Sequence, residues 1–300
     1  MRPCRFAFHF VLTSYLILSA EAAIAQPSTY EPQEWQPGKD VIWLPTAQLM
    51  VERMLDMAKV TPNDFVIDLG SGDGRTVIAA AKRGASALGI EYNPDMVELS
   101  KRNATREGIG ERAQFMQADL FETDFSKGTV ITMFLLAELN LKLRPKILGL
   151  KPGTRVVSNT FDMGEWQDDE TSTLDTKTGC GFHCIAHLWI VPARVEGQWK
   201  SSAGDLALAQ QFQMVSGTLR TNAGLRALNG KLRGDEFSFT ADGVAYVGHV
   251  NTLGIEGTVA SGAKTSKWRA TRTARPRCAD NRVAACIRAT TGRSNSPFHL

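Results

Sequence analysis

A chain of 300 residues has room for one or two domains with a substantial core. Its 34 Lys and Arg nearly balance 31 Asp and Glu, so no charge excess points to a nucleic-acid or membrane-surface partner. Beyond the first 25 residues no segment is apolar enough over about 20 residues to cross a bilayer as a helix.

Those first residues carry their own pattern. Arg2 and Arg5 precede an apolar run from Phe6 to Ala20, and Ala23-Ile24-Ala25 supplies the small residues that a signal peptidase reads. The pattern predicts a signal peptide over 1–25, a mature chain beginning at Gln26, and no stable membrane insertion after cleavage. If the signal is used, the protein is periplasmic or secreted; if not, it is cytoplasmic. Residues 26–40 are polar and Pro-containing and read as an extended lead-in.

From residue 41 the chain alternates between strand and helix periods. A helix is expected over Ala47 to Val60, with Val51, Met54, Leu55 and Ala58 at the spacing of one buried face. A strand from Phe65 to Asp68 runs into a turn with glycines at 70, 72 and 74, and a helix from Thr76 to Arg83 follows at once. Glycine suits places where backbone passes close to a ligand or takes positive φ, and the new helix offers unpaired N–H groups. A second strand, Ala87 to Glu91, ends in an acid, and a third, Gln114 to Gln117, is followed by Asp119. A carboxylate at the second strand end is where a doubly wound sheet holds ribose hydroxyls. Asn93-Pro94 marks the next helix start and Gly108 its stop. A fourth strand is expected over Gly128 to Phe134, a helix broken or restarted at Pro145 within Glu138 to Leu150, and a fifth strand over Thr154 to Ser158. Ala186 to Val191 reads as the last strand of the sheet.

A nicotinamide site would want G-x-G-x-x-G facing a pyrophosphate. This turn is Asp68-Leu69-Gly70-Ser71-Gly72-Asp73-Gly74, whose two carboxylates suit a cationic ligand better. On these residues, with Glu91 and Asp119, the chain resembles the class I S-adenosylmethionine-dependent methyltransferases, from about Trp43 to Pro192. Leu44-Pro45-Thr46 and Leu139-Asn140-Leu141-Lys142-Leu143-Arg144-Pro145 resemble one branch, similar to the mitochondrial ATP-synthase-subunit lysine methyltransferases and distantly to the non-SET histone-lysine methyltransferases. The resemblance implies an α/β fold, a Rossmann-like doubly wound methyltransferase sheet over 41–194, with S-adenosyl-L-methionine as cofactor and protein lysine as acceptor. It implies that Asp68, Gly70, Ser71, Gly72, Asp73 and Gly74 hold the methionine end, Glu91 the ribose and Asp119 the adenine amine.

The resemblance also implies that acceptors enter over the ends of strands four and five. There Asn159 suits an amine as hydrogen-bond acceptor and Asp162 suits a proton, while Phe134, Phe161 and Trp166 suit the walls of a channel. No acidic-aromatic motif of the DNA adenine methyltransferase type follows strand four, so no nucleic-acid substrate is expected. A small-molecule N- or O-methyltransferase is the alternative within enzymes. The other alternative is an exported, non-catalytic ligand-binding protein on the same scaffold.

Cys180-Gly181-Phe182-His183-Cys184 has the residue types of a zinc site, yet its position beside a strand does not converge the ligands, and no metal is expected. A disulfide within this pair, or within Cys278 and Cys286, is open. Past Pro192 glycines recur between short alternating runs, including Leu206, Leu208, Phe212 and Met214, Phe237 with Phe239, and Val244 with Tyr246. These predict a small antiparallel β domain over 195–272 that caps the catalytic half. Residues 273–300, Arg-rich with Asp280 as the only acid, read as a disordered basic tail.

Overall fold

The computed structural model describes residues 30–262 and 264–274. The signal segment, Cys278 and Cys286 and the tail beyond 274 lie outside the described residues.

Strands β1 (Phe65–Leu69), β2 (Ser86–Glu91), β3 (Ala113–Gln117), β4 (Val130–Met133) and β5 (Arg155–Asn159) pair in parallel, with β6 (Glu170–Thr173) and β7 (Ile185–Ile190) completing the sheet in antiparallel. The order is β3-β2-β1-β4-β5-β7-β6. It reverses between β1 and β4, which opens a crevice at their carboxyl ends. Helix α1 (Gln48–Met57) precedes β1, and α2 (Arg75–Lys82), α3 (Pro94–Arg106) and α4 (Ala137–Ile147) connect β1 to β2, β2 to β3 and β4 to β5. Val51, Met54, Leu55 and Ala58 are buried, as their spacing predicts. The Asn93 side chain accepts from Asp95 N at the head of α3, whose first residue is Pro94.

Three expectations change. Pro145 does not break α4, which continues to Ile147. It stands in the last turn, where the missing N–H forfeits a single bond, at the carbonyl of exposed Leu141, and Leu148 N still donates to Arg144 O. β7 is the last strand in sequence but an interior one, because the polar segment Glu170–Thr173 pairs outside it. The run from Leu206 to Met214 is two strands: a hairpin turn at Phe212-Gln213 leaves Met214 exposed and turns Val215 and Leu219 inward instead.

The second half is a closed eight-stranded barrel of β8 (Gly197–Ser201), β9 (Gly204–Gln211), β10 (Met214–Thr221), β11 (Gly224–Arg233), β12 (Glu236–Ala241), β13 (Val244–Val250), β14 (Ile255–Ser261) and β15 (Lys264–Ala274). It runs past the expected boundary at 272 to Ala274. Phe237, Phe239, Tyr246 and Trp268 fill its interior, and pairing of β15 with β8 removes both sheet edges. The Phe212 ring stacks on Trp166 in the loop after β5, with centroids 6.0 Å apart. Gln213 Nε2 donates to Gln167 O, and Lys231 pairs with Asp169 in the same loop.

Candidate active site

The glycine turn joins β1 to α2 with φ of +78°, +54° and +83° at Gly70, Gly72 and Gly74. Only a residue without Cβ fits at the middle position, since a Cβ on Gly72 would sit 2.8 Å from Trp43 Nε1. Gly72 N and Asn93 N donate to the two carboxylate oxygens of Glu91, each at 2.9 Å. The end of β2 is thereby fixed against the turn.

Asp68 is buried at the end of β1 and accepts from Thr132 Oγ1 of β4 at 2.6 Å. Burial pushes its carboxyl up to about 7, the Thr132 bond opposes this, and the charges of Glu91 and Asp73 add to it. Asp73 is otherwise than the sequence suggests: Arg75 binds both its oxygens through Nε and Nη2, so its charge is largely matched from within the chain. Arg75 also donates to Thr46 O, tying the turn to the residues just before α1.

The lead-in is not extended. Trp35 N donates to Trp43 O and Trp43 N to Gln36 O, which folds it into a short hairpin. The hairpin forms one wall of a cleft with an empty volume of about 1030 Å³ including its mouth. Asp68, Gly70, Ser71, Gly72, Asp73, Glu91, Trp43 and Phe134 line this cleft. Asp119, after β3, lies at its border, where Lys39 of the hairpin reaches it at 2.5 Å and Phe121 N donates to its other oxygen. The Lys39 hydrogen bond holds the Asp119 carboxyl below its ordinary value. Lys39 and Arg75 are the cations that sequence reasoning missed: Lys39 meets Asp119 from 80 residues away, whereas Arg75 stands two residues from Asp73 and that spacing was the available signal.

The residues fit an S-adenosylmethionine-like ligand. The buried acid with a raised pKa calls for a cation, the glycine turn leaves a cradle that a Cβ would fill, and Ser71 Oγ is buried with no hydrogen-bond partner. Asp68 with the glycine turn would hold the methionine end and Glu91 the ribose. Asp119 would serve the adenine amine once Lys39 is displaced.

At the ends of β4 and β5 the predicted set separates. Asn159 is fully buried, its Nδ2 3.4 Å from Thr46 Oγ1 and its Oδ1 accepting from Thr160 Oγ1 at 3.0 Å. Phe161 lies 6.3 Å from Phe134, centroid to centroid. Asp162 is exposed and accepts from Gly164 N in a turn of its own. Trp166 does not line the cleft: it is fully buried between Trp189 and Phe212, because the barrel hairpin gives it an aromatic partner the sequence does not reveal. His183, which the sequence offers only as a metal ligand, sits edge-on to Phe134 at 5.0 Å. Its loop is closed by a Cys180–Cys184 disulfide, and among the described residues no cluster of metal ligands is found.

A family model described as the ANTKMT methyltransferase domain matches residues 68–170 and ends before β7 and the barrel. A protein-lysine N-methyltransferase of Saccharolobus islandicus is 44% identical over 138 residues, 45% of this chain and 86% of that protein. A human lysine N-methyltransferase named for an ATP synthase subunit is 34% identical over 131 residues; the match takes in 43% of this chain and 56% of that protein, so about half of the human relative is spanned. A crystal structure of an RNA methyltransferase from Salinibacter ruber with S-adenosyl-L-homocysteine is 44% identical and covers 51% of this chain and 96% of that one, with a TM-score of 0.47. With most of the Saccharolobus islandicus protein covered at that identity, the chain belongs to the S-adenosyl-L-methionine-dependent methyltransferases of the protein-lysine N-methyltransferase family.

Proposed function

We propose that this protein methylates lysine side chains of a protein partner. The observation that carries the reading is the cleft of this family member, which Phe134 lines at the end of β4, with Phe161 after β5 at 6.3 Å from it. S-adenosyl-L-methionine supplies the electrophilic methyl group. Lysine, with a free pKa of about 10.4, must lose its proton before it can attack, and an apolar, water-poor wall lowers that value. The chain otherwise positions the acceptor amine, and no covalent nucleophile is needed.

Calorimetry on residues 26–300 should show selective binding of S-adenosyl-L-methionine over NAD. Incubation with the labelled donor and extracts should then place label on lysine in the protein fraction rather than on RNA. Binding with label only on small molecules would favour the small-molecule alternative. No binding at millimolar donor would leave the non-catalytic one.

The signal-like segment supports a second proposal, that the chain from Gln26 onward works in the periplasm or outside the cell. A Cys180–Cys184 disulfide is of the kind that persists in oxidising compartments. Fractionation of the native host with N-terminal sequencing should find Gln26 as the first residue in the exported fraction. Recovery of intact Met1 from the cytosol would overturn it.

A further inference from the structure

We propose that His183 is the base that takes the proton from the acceptor amine, with Thr160 and Asn159 as positioning residues that set its tautomer; this rests on the lysine reading above. Neither the family model, which ends at residue 170, nor the resemblance assigns His183 a role.

With the Asn159 amide turned so that its nitrogen donates to Thr46 Oγ1, 3.4 Å away, the carboxamide oxygen is the atom turned to Thr160, and counting protons then gives the tautomer. That oxygen only accepts, so the Thr160 hydroxyl spends its single proton on it. The hydroxyl oxygen then faces His183 Nδ1 at 3.1 Å with lone pairs alone, and Nδ1 must carry the hydrogen. In a neutral imidazole this leaves Nε2 unprotonated.

The ring is kept neutral. Its ring contact is with Phe134 after β4 and its hydrogen bonds are with Thr160 after β5 and with the Cys180 carbonyl, which accepts from His183 N; none of these is charged. Burial alone pushes the imidazole below its ordinary value. Thr160 has φ of +68°, an outlying conformation for a β-branched residue and one that concentrates at functional sites. The Cys180–Cys184 bridge restricts the loop that carries the ring. Phe134 and Thr46, the two ends of this chain of contacts, both line the donor cleft, so His183 stands one side chain away from it.

The step balances without another reactant. An ammonium N–H bond breaks, the proton goes to Nε2, and the electron pair stays on the amine. That pair forms the new bond to the methyl carbon while the carbon–sulfur pair departs with sulfur. His183 then returns the proton to solvent.

Two measurements test it. In protein labelled with 15N-histidine, long-range proton–nitrogen spectra near neutral pH should show His183 as the Nδ1–H tautomer, and Thr160→Val should release it to the mixed or Nε2–H form. An Nε2–H ring in the unsubstituted protein overturns the proposal. In rate assays with poly-L-lysine and extract protein as acceptors, His183→Gln should lower kcat near neutral pH about 100-fold, within the usual range for a general base. The gap should narrow as pH approaches the lysine value of about 10.4. Calorimetric affinity for S-adenosyl-L-homocysteine should be unchanged, showing an intact fold and cleft. Parallel pH profiles with equal rates overturn the role of His183 alone. An unsubstituted protein that binds S-adenosyl-L-homocysteine and leaves both acceptors unmodified overturns the lysine reading, and the amine proton assigned to His183 with it.

Discussion

Asp68→Asn should abolish measurable binding of S-adenosyl-L-methionine and, at the same time, raise the melting temperature of the ligand-free protein at about pH 8. The carboxyl is buried, and its value in the folded chain is about 7 against 3.8 for the free group. The folded state therefore holds the proton more tightly than the unfolded one. Stability is unaffected by this group below about pH 3.8, and it declines as pH rises from there to about 7. That difference corresponds to about 4 kcal/mol at most. Asparagine keeps an acceptor for Thr132 and removes the charge, so a gain of several degrees at about pH 8 should disappear near pH 4. A cationic ligand in the cleft relieves the same strain, so wild-type binding should release protons at about pH 6.5 and weaken as pH falls. Calorimetry in two buffers of different ionisation enthalpy reads the proton count. Unchanged affinity in the variant would remove Asp68 from the cofactor site.

Gly74→Ala should be among the most destabilising single-methyl additions in the catalytic half, at about 2–5 kcal/mol from backbone and packing together. The backbone there has φ of +83°, and a Cβ would lie 2.7 Å from Phe115 Cε1 and 2.9 Å from Ser100 Cβ. Neither neighbour can give way easily. Phe115 is buried under the turn, and the fully buried Ser100 Oγ shares its single proton between Gly72 O at 2.8 Å and Met96 O at 2.9 Å. Gly153→Ala separates the two contributions, because its φ of +90° is similar and nothing lies within 4 Å of its Cβ. That control should lose only about 1–2 kcal/mol, the backbone part. Equal losses in denaturant titrations would show that the turn relaxes around the methyl group.

The glycine turn and the three strand-end acids were legible because they are local: an apolar strand run, a glycine triplet and a helix period in unbroken order. What escaped the sequence is set by partners far along the chain. Glu170–Thr173 is polar and mostly exposed and becomes a strand only because β7 pairs with it. Alternation announced the barrel strands, but closure depends on β15 meeting β8 from opposite ends of the domain, which no local window contains. Lys39 on Asp119, 80 residues away, changes the charge of the site, and no spacing hints at it. The Thr160 conformation and the Cys180–Cys184 pairing likewise arise from the fold around them.

Phe212 itself takes a left-handed backbone conformation, φ +52°, at the tip of the β9–β10 hairpin, and its ring lies flat on Trp166. The segment so gripped begins at Thr160 and ends at Asp169, where Lys231 of the barrel holds it again. The barrel is thus a handle bolted to the loop that leaves β5. Whatever pulls on the barrel pulls on the stretch of chain that leads back to Thr160, so a load applied far from the glycine turn is delivered at the end of β5.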